Sequence, residues 1–157
     1  MERLVIIPTY NEKENIEAII TAVMELPLEF NVLVIDDGSP DGTADIVKGL
    51  MAGKYKGRVD IVERSGKLGL GTAYICGFKW AIEHKANYIF EMDADFSHNP
   101  QDLLKLYDAC ANRGADLAIG SRYVTGVNVV NWPMGRVLMS YFASKYVRTV
   151  LGVNIHD

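Results

Sequence analysis

Two aspartates one residue apart, Asp93-Ala94-Asp95, follow the apolar stretch Tyr-Ile-Phe-Glu-Met. Carboxylates at that spacing on a tight turn can face one divalent cation. Mg2+ or Mn2+ takes oxygen ligands and leaves positions for substrate phosphates. The same spacing also suits a turn with helix-capping acids, and both readings stand on these residues alone. A second acidic group, Asp36-Asp37-Gly38-Ser39, ends another apolar run. A carboxylate there can accept hydrogen bonds from a base or ribose. Asp, Gly and Ser equally suit a turn leading into a helix. Lys67-Leu68-Gly69-Leu70-Gly71 places a lysine in a glycine-rich loop before a helix. Bare amides at a helix start suit a phosphate, although a flexible connection would look the same. Arg122 and Arg136 are permanently charged and match phosphate bidentately, or are ordinary surface arginines. His98 follows the aspartate pair, either lining the site or capping a helix. His84, His98 and His156 have no metal-binding spacing.

The elements that must position these groups alternate in type. The continuous apolar run at residues 4–7 and the segment 32–35 read as buried strands, and residues 59–62, 88–92 and 117–119 as further strands. Between them lie helical signals. Asn11 with Glu14 resembles a capping box, and Ile16, Ile19, Ile20 and Val23 follow at helical spacing until Pro27. Further helices are expected over about 43–51 and 72–84, after Asn99-Pro100, and over about 134–151. In the last, Val137, Leu138, Tyr141, Phe142, Tyr146, Val147 and Val150 read as a core-facing stripe, with membrane contact the alternative, and Trp132 as a core residue, with an interfacial anchor the alternative. This alternation predicts an α/β fold with a mostly parallel sheet and helices on both faces. Such sheets bind ligands at the carboxyl ends of their strands, where Thr9-Tyr10-Asn11-Glu12, Asp36-Asp37, Asp93–Asp95 and Ser121-Arg122 fall.

Composition narrows the classes. At 157 residues the chain fits one domain of about 100–200 residues. With 49% apolar and 23% charged residues, it is neither disordered, collagen-like nor a coiled coil. No apolar run approaches the ~18 residues of a transmembrane helix. Cys76 and Cys110 have no metal or redox spacing and read as free thiols in a reducing compartment. Residues 1–120 carry a balance of −7, and residues 121–157 carry +3. The overall charge of −4 disfavours nucleic acid as a partner. The basic, apolar end suits phosphate or a membrane surface.

Taken in order, these motifs resemble the inverting family-2 glycosyltransferases of GT-A fold, a Rossmann-like arrangement. The likeness rests on Pro8-Thr9-Tyr10-Asn11-Glu12, Asp36-Asp37-Gly38-Ser39-x-Asp41-Gly42-Thr43 and Asp93-Ala94-Asp95. It narrows to the polyprenol-phosphate (dolichol-phosphate) mannosyltransferases through Lys67-x-Gly69-Leu70-Gly71-x-Ala73 and Met92-Asp93-Ala94-Asp95-Phe96-Ser97-His98. Gly120-Ser121-Arg122-Tyr123 and Asn131-Trp132-x-x-x-Arg136-x-x-x-Ser140 add to it. The resemblance implies that Pro8, Tyr10, Glu12 and Asp36 hold the guanosine of GDP-mannose, with Asp37 and Lys67 beside it. It implies that Asp93, Ala94 and Asp95 meet the donor's phosphates, with Mg2+ or Mn2+ on Asp93 and Asp95. Ser97 stands where parts of the family have a third ligand, Gln, and water or His98 would complete the shell. Arg122, Arg136 and Ser140 match positions expected to hold a polyprenyl (dolichyl) phosphate acceptor. Asp93, Asp95, Arg122 and Arg136 are thus the expected catalytic residues.

The implied enzyme would work peripherally at the cytoplasmic face of a membrane. Asp157 matches the first residue of a further family motif, Asp-x-Thr/Ser-Gly, so residues 1–157 are expected to be a single catalytic domain truncated at its C-terminus. A glucosyl or other nucleotide-sugar donor is the rival within the class. A nucleotide-binding module without catalysis is the rival outside it, and a receiver-type signalling domain fits the motifs poorly.

Overall fold

A computed structural model describes residues 1–121 and 133–152, apart from the side chain of Arg136. The chain divides into two compact units, Met1–Asp108 and Ala109–Asp157. The first unit is an α/β sandwich. Its strands are β1 (Arg3–Thr9), β2 (Asn31–Asp36), β3 (Val59–Glu63) and β4 (Tyr88–Glu91). They form one sheet in the order β3-β2-β1-β4, with every pair parallel. Helices α1 (Ile16–Met24), α2 (Thr43–Ala52) and α3 (Leu70–Glu83) connect them, and α4 (Asp102–Ala111) follows β4. All four strands therefore end at the same edge.

Successive strand residues point to opposite faces, and in β1 and β2 both faces are apolar. Val5, Ile7, Val32 and Val34 pack with Ile16, Ile20 and Val23 of α1, Val47 of α2 and Leu103 of α4. Leu4, Ile6, Leu33 and Ile35 pack on the other face with Ala73 and Ala81 of α3. Helices thus cover both faces, as the apolar strands require. The second face admits a close approach, because a Cβ on Gly77 of α3 would stand 2.7 Å from Ile6 Cγ2.

Three local expectations change. Asn11 does not cap α1. It takes a left-handed conformation at φ 61°, and its amide donates to Ser39 Oγ. The helix starts a turn later, after the Glu12 carbonyl accepts from the Asn15 and Ile16 amides. Residues 117–119 form no strand among the described residues, and Leu117 is 74% exposed. A three-residue apolar run fits a strand only where a ladder partner lies beside it. In the second unit, α5 (Met134–Leu151) forms as expected, but its apolar stripe is not buried. Leu138, Tyr141, Phe142, Tyr146, Val147 and Val150 are all exposed. With Met139 and Leu151 also apolar, these residues encircle the helix rather than line one side of it. Cys76 and Cys110 are free thiols, as expected. Trp132 lies outside the described residues.

The Gly77 contact gives a direct test. Gly77→Val should lower unfolding free energy by about 1–3 kcal/mol, the usual cost of forcing extra atoms into a packed core. Gly77→Ala should cost less, because alanine's helix propensity returns about 1 kcal/mol. Urea unfolding of both variants against the parent chain checks the order.

Candidate functional site

The candidate site lies where β1, β2, β3 and β4 end side by side. Thr9 is in register with Asp36, and Asp36 with Glu63. On the other side Ile6 pairs with Glu91, and the Met92 amide still donates to the Ile6 carbonyl at 3.2 Å. Continued by two residues, that register sets Asp93 level with Pro8. The fold thus brings Pro8, Tyr10 and Glu12, then Asp36 and Asp37, then Lys67, then Asp93, Ala94 and Asp95 to one sheet edge.

Asp36 is 1% exposed and already well bonded. Its Oδ1 accepts from Thr9 Oγ1 at 2.8 Å and from Ser39 Oγ at 2.6 Å, and its Oδ2 from the Ser39 amide at 2.9 Å. Burying a carboxylate is tolerated only with such partners. Asp37 is also buried, and its Oδ1 accepts from Arg64 Nε at 2.6 Å. Its Oδ2 accepts from the Leu68 amide at 3.3 Å. Gly38, at φ +69°, lets the turn lie against the next loop, since a Cβ there would stand 3.3 Å from the Arg64 carbonyl and 3.4 Å from Gly66 Cα. Asp41 organises the following turn. It accepts from Thr43 Oγ1 at 2.6 Å, from the Thr43 amide and from the Lys13 amide, and the Thr43 hydroxyl holds its carboxyl below the usual range.

Beside these acids stands an open surface. Tyr10 is exposed, and Lys67 Nζ lies 4.7 Å from its ring centroid in a cation–π contact. Glu12 is tied back locally, donating its amide to Thr43 Oγ1 and accepting from Asn15 Nδ2 through Oε2. Ala94, between the two aspartates, is buried. Asp93 Oδ1 has a long contact of 3.4 Å from the Tyr74 hydroxyl. Asp95 Oδ1 accepts from the Ser97 amide at 2.9 Å. Bonds from the Ser97 hydroxyl, then from its amide, hold the Asp95 carboxyl below the ordinary range. Burial first, and the Asp93 charge second, push Glu91 the other way. Phe96, at φ 59°, takes a conformation rare for a bulky side chain within this loop.

Among the described residues no group of three His, Cys, Asp or Glu side chains forms a metal cage. Two carboxylates on one short turn still fit Mg2+ or Mn2+, which bind through one or two acids and take their remaining ligands from water and phosphates. His98 Nδ1 accepts from the Asp93 amide at 3.2 Å, so that nitrogen's lone pair is engaged and the ring proton is assigned to Nε2. His98 is therefore not poised as a ligand through Nδ1. Ser97 serves Asp95 as a hydrogen-bond donor in this arrangement.

The residues expected on the acceptor side all belong to the second unit. Arg122, Tyr123, Asn131 and Asp157 lie outside the described residues. Arg136 and Ser140 both belong to α5. Three residues outside the sequence motifs also support the site. Arg64, Thr72 and Tyr74 hold its acids or loops. Arg64 had one legible signal: consecutive aspartates ending a buried strand require a counter-cation nearby.

The Asp95 environment gives a pH prediction. Its titration midpoint, followed by carboxyl carbon NMR, should fall below 3.8, and Ser97→Ala should move it back up. A depressed folded value means that this group's contribution to stability is present above its unfolded pKa. It is lost as pH falls through the folded one.

Comparison with known proteins agrees with this geometry. The family model for glycosyl transferase family 2 matches residues 4–156. Polyprenol monophosphomannose synthase of Mycolicibacterium smegmatis is 49% identical over 98% of this chain and 57% of its own length. Undecaprenyl-phosphate mannosyltransferase of Micrococcus luteus is 45% identical over 100% of this chain and 63% of its own. The chain thus spans about three-fifths of the length of these relatives. Among solved structures, S. aureus TarS residues 1–349 aligns at a TM-score of 0.53 with 30% identity, over 71% of this chain and 32% of that one. The same TarS fragment in complex with UDP aligns at 0.52 with 26% identity, over 69% of this chain and 32% of that one. A parallel α/β sheet of GT-A type, acidic loops at its carboxyl edge and a family match across almost every residue lead to one assignment: the chain belongs to glycosyl transferase family 2.

Proposed function

We propose that the protein transfers mannose from GDP-mannose to a polyprenyl phosphate, with inversion, giving a β-linked polyprenyl-phosphate mannose. What supports this reading above all is the naming of the two relatives that match nearly the whole chain, both as enzymes of polyprenyl-phosphate mannose formation. The TarS complex with UDP supports a nucleoside diphosphate as the leaving group on this fold.

The residues suit that chemistry. Tyr10 offers an exposed ring for a base, and Lys67 beside it offers a positive charge for a phosphate. Asp93 and Asp95 would hold Mg2+ or Mn2+, which when bound neutralises the charge developing on the departing diphosphate. Asp95, held acidic by Ser97, stays ionised at neutral pH as a metal ligand must. The sugar passes through an oxocarbenium-like state, as in other glycosyl chemistry. A phosphate monoester acceptor is already anionic near neutral pH, so no strong general base is needed. Arg122 and Arg136, with Ser140, would screen the repulsion between the two anions and fix the acceptor's approach. The acceptor is lipid-borne, which puts the reaction at a membrane surface, on the cytoplasmic face where the nucleotide sugar is found. α5 suits that setting, with Met139, Phe142 and Tyr146 exposed and Arg136, Lys145 and Arg148 as its cations. No described helix is long and apolar enough to cross a membrane.

The deciding assay uses the full-length protein, a polyprenyl phosphate and Mg2+ or Mn2+, with GDP-mannose and UDP-glucose in parallel. Transfer is expected from GDP-mannose, and transfer from UDP-glucose alone would reassign the donor. Asp95→Ala should reduce kcat at least a hundredfold, since charge stabilisation of this kind is typically worth about 10²–10³. Nucleotide binding that ignores both metal and this substitution, with no turnover, would leave only a binding module.

A further inference from the structure

Arg64 follows the last residue of β3, and its side chain is 9% exposed, as is that of its partner Asp37. Its guanidinium is used on two sides. Nε donates to Asp37 Oδ1 at 2.6 Å, and Nη2 lies 2.5 Å from the same oxygen. Nη1 donates to Thr72 Oγ1 at 2.8 Å, and Nη2 reaches the Gly69 carbonyl at 3.3 Å. The Thr72 hydroxyl in turn lies 2.7 Å from that carbonyl. The Arg64 amide donates to the Asp36 carbonyl at 2.7 Å. One side chain therefore spans from the end of β2 to the first turn of α3, and the loop between carries Lys67.

We infer that Arg64 is a positioning residue for the donor: it holds residues 66–72 in one conformation, so that Lys67 stands over Tyr10 before any substrate arrives. This rests on reading the edge as a nucleotide-sugar site. Gly66 and Gly69 sit at φ 159° and 98°, and glycines give a free loop many conformations to lose. A loop fixed in advance spares that entropy on binding. The task needs a planar fork. A lysine could neutralise Asp37, but a single ammonium on a flexible stem does not reproduce the fixed set of bonds to Asp37, Thr72 and Gly69. Satisfying a buried charge and fixing the loop are thus separable roles.

Two variants of the full-length protein separate them: Arg64→Lys, and Arg64→Met combined with Asp37→Asn, which leaves no buried charge unpaired. Hydrogen exchange is followed on peptides covering residues 66–73 and on peptides of β1 and β2, and GDP binding is measured by calorimetry. In both variants the loop peptide should exchange at least about tenfold faster while the strands keep their protection. GDP affinity should fall by about tenfold, the cost of ordering a freed loop. Loop exchange unchanged in Arg64→Lys overturns the assignment, because charge alone then suffices. An equal rise across loop and strands in both variants also overturns it, since Arg64 would then serve the whole fold. Absence of GDP binding by the parent protein would defeat the nucleotide reading, and the exchange measurements would still decide whether Arg64 holds the loop.

Discussion

Two consecutive carboxylates, Asp36 and Asp37, are buried at the end of β2, and the loops around the candidate site are arranged to satisfy them. A buried carboxylate without partners costs several kcal/mol, on the order of a small protein's whole stability. Adjacent side chains at a strand end diverge, so each acid draws on a different neighbour. Asp36 takes Thr9 from β1 and Ser39 from its own turn. Asp37 takes Arg64 from beyond β3 and the Leu68 amide from the glycine-rich loop. In this way the ends of β1, β2 and β3 and the start of α3 are bound into one unit.

That arrangement divides the acids of the edge into two kinds. Asp36, Asp37 and Asp41 spend their oxygens on hydroxyls, amides and a guanidinium of the chain itself. Glu63 pairs with Lys48 at 2.7 Å. Asp93 and Asp95 are bonded more sparingly, with a long phenol contact for one and the Ser97 donors for the other. The carboxylates with most capacity left are the pair whose spacing suits a cation. Partial burial, and after it the Asp93 charge, raise the Glu91 carboxyl two residues before that pair.

The sheet and the edge where chemistry collects were legible because apolar runs and turn-forming motifs are local signals. Val5, Ile7, Val32 and Val34 had to face one set of helices, and Leu4, Ile6, Leu33 and Ile35 another. The helix boundary at Asn11 was not legible, because that residue's amide is claimed by Ser39 from a different loop. The run at 117–119 could not reveal the lack of a ladder partner among the described residues. The α5 residues could not reveal exposure, since an apolar helix reads the same whether or not something covers it.

The sequence by itself determined the class of fold, the largely parallel sense of the strands and the common edge of Tyr10, Asp36, Asp93 and Asp95. Each follows from hydrophobic period and from the position of polar residues after strands. Only the tertiary structure decided what the individual side chains do there. It turned Asp37 inward to Arg64, set Lys67 over Tyr10, and gave His98 Nδ1 to the Asp93 amide. The physical reason is that a carboxylate's partners come from wherever the strand order β3-β2-β1-β4 brings them, and that order is a property of packing across the whole sheet.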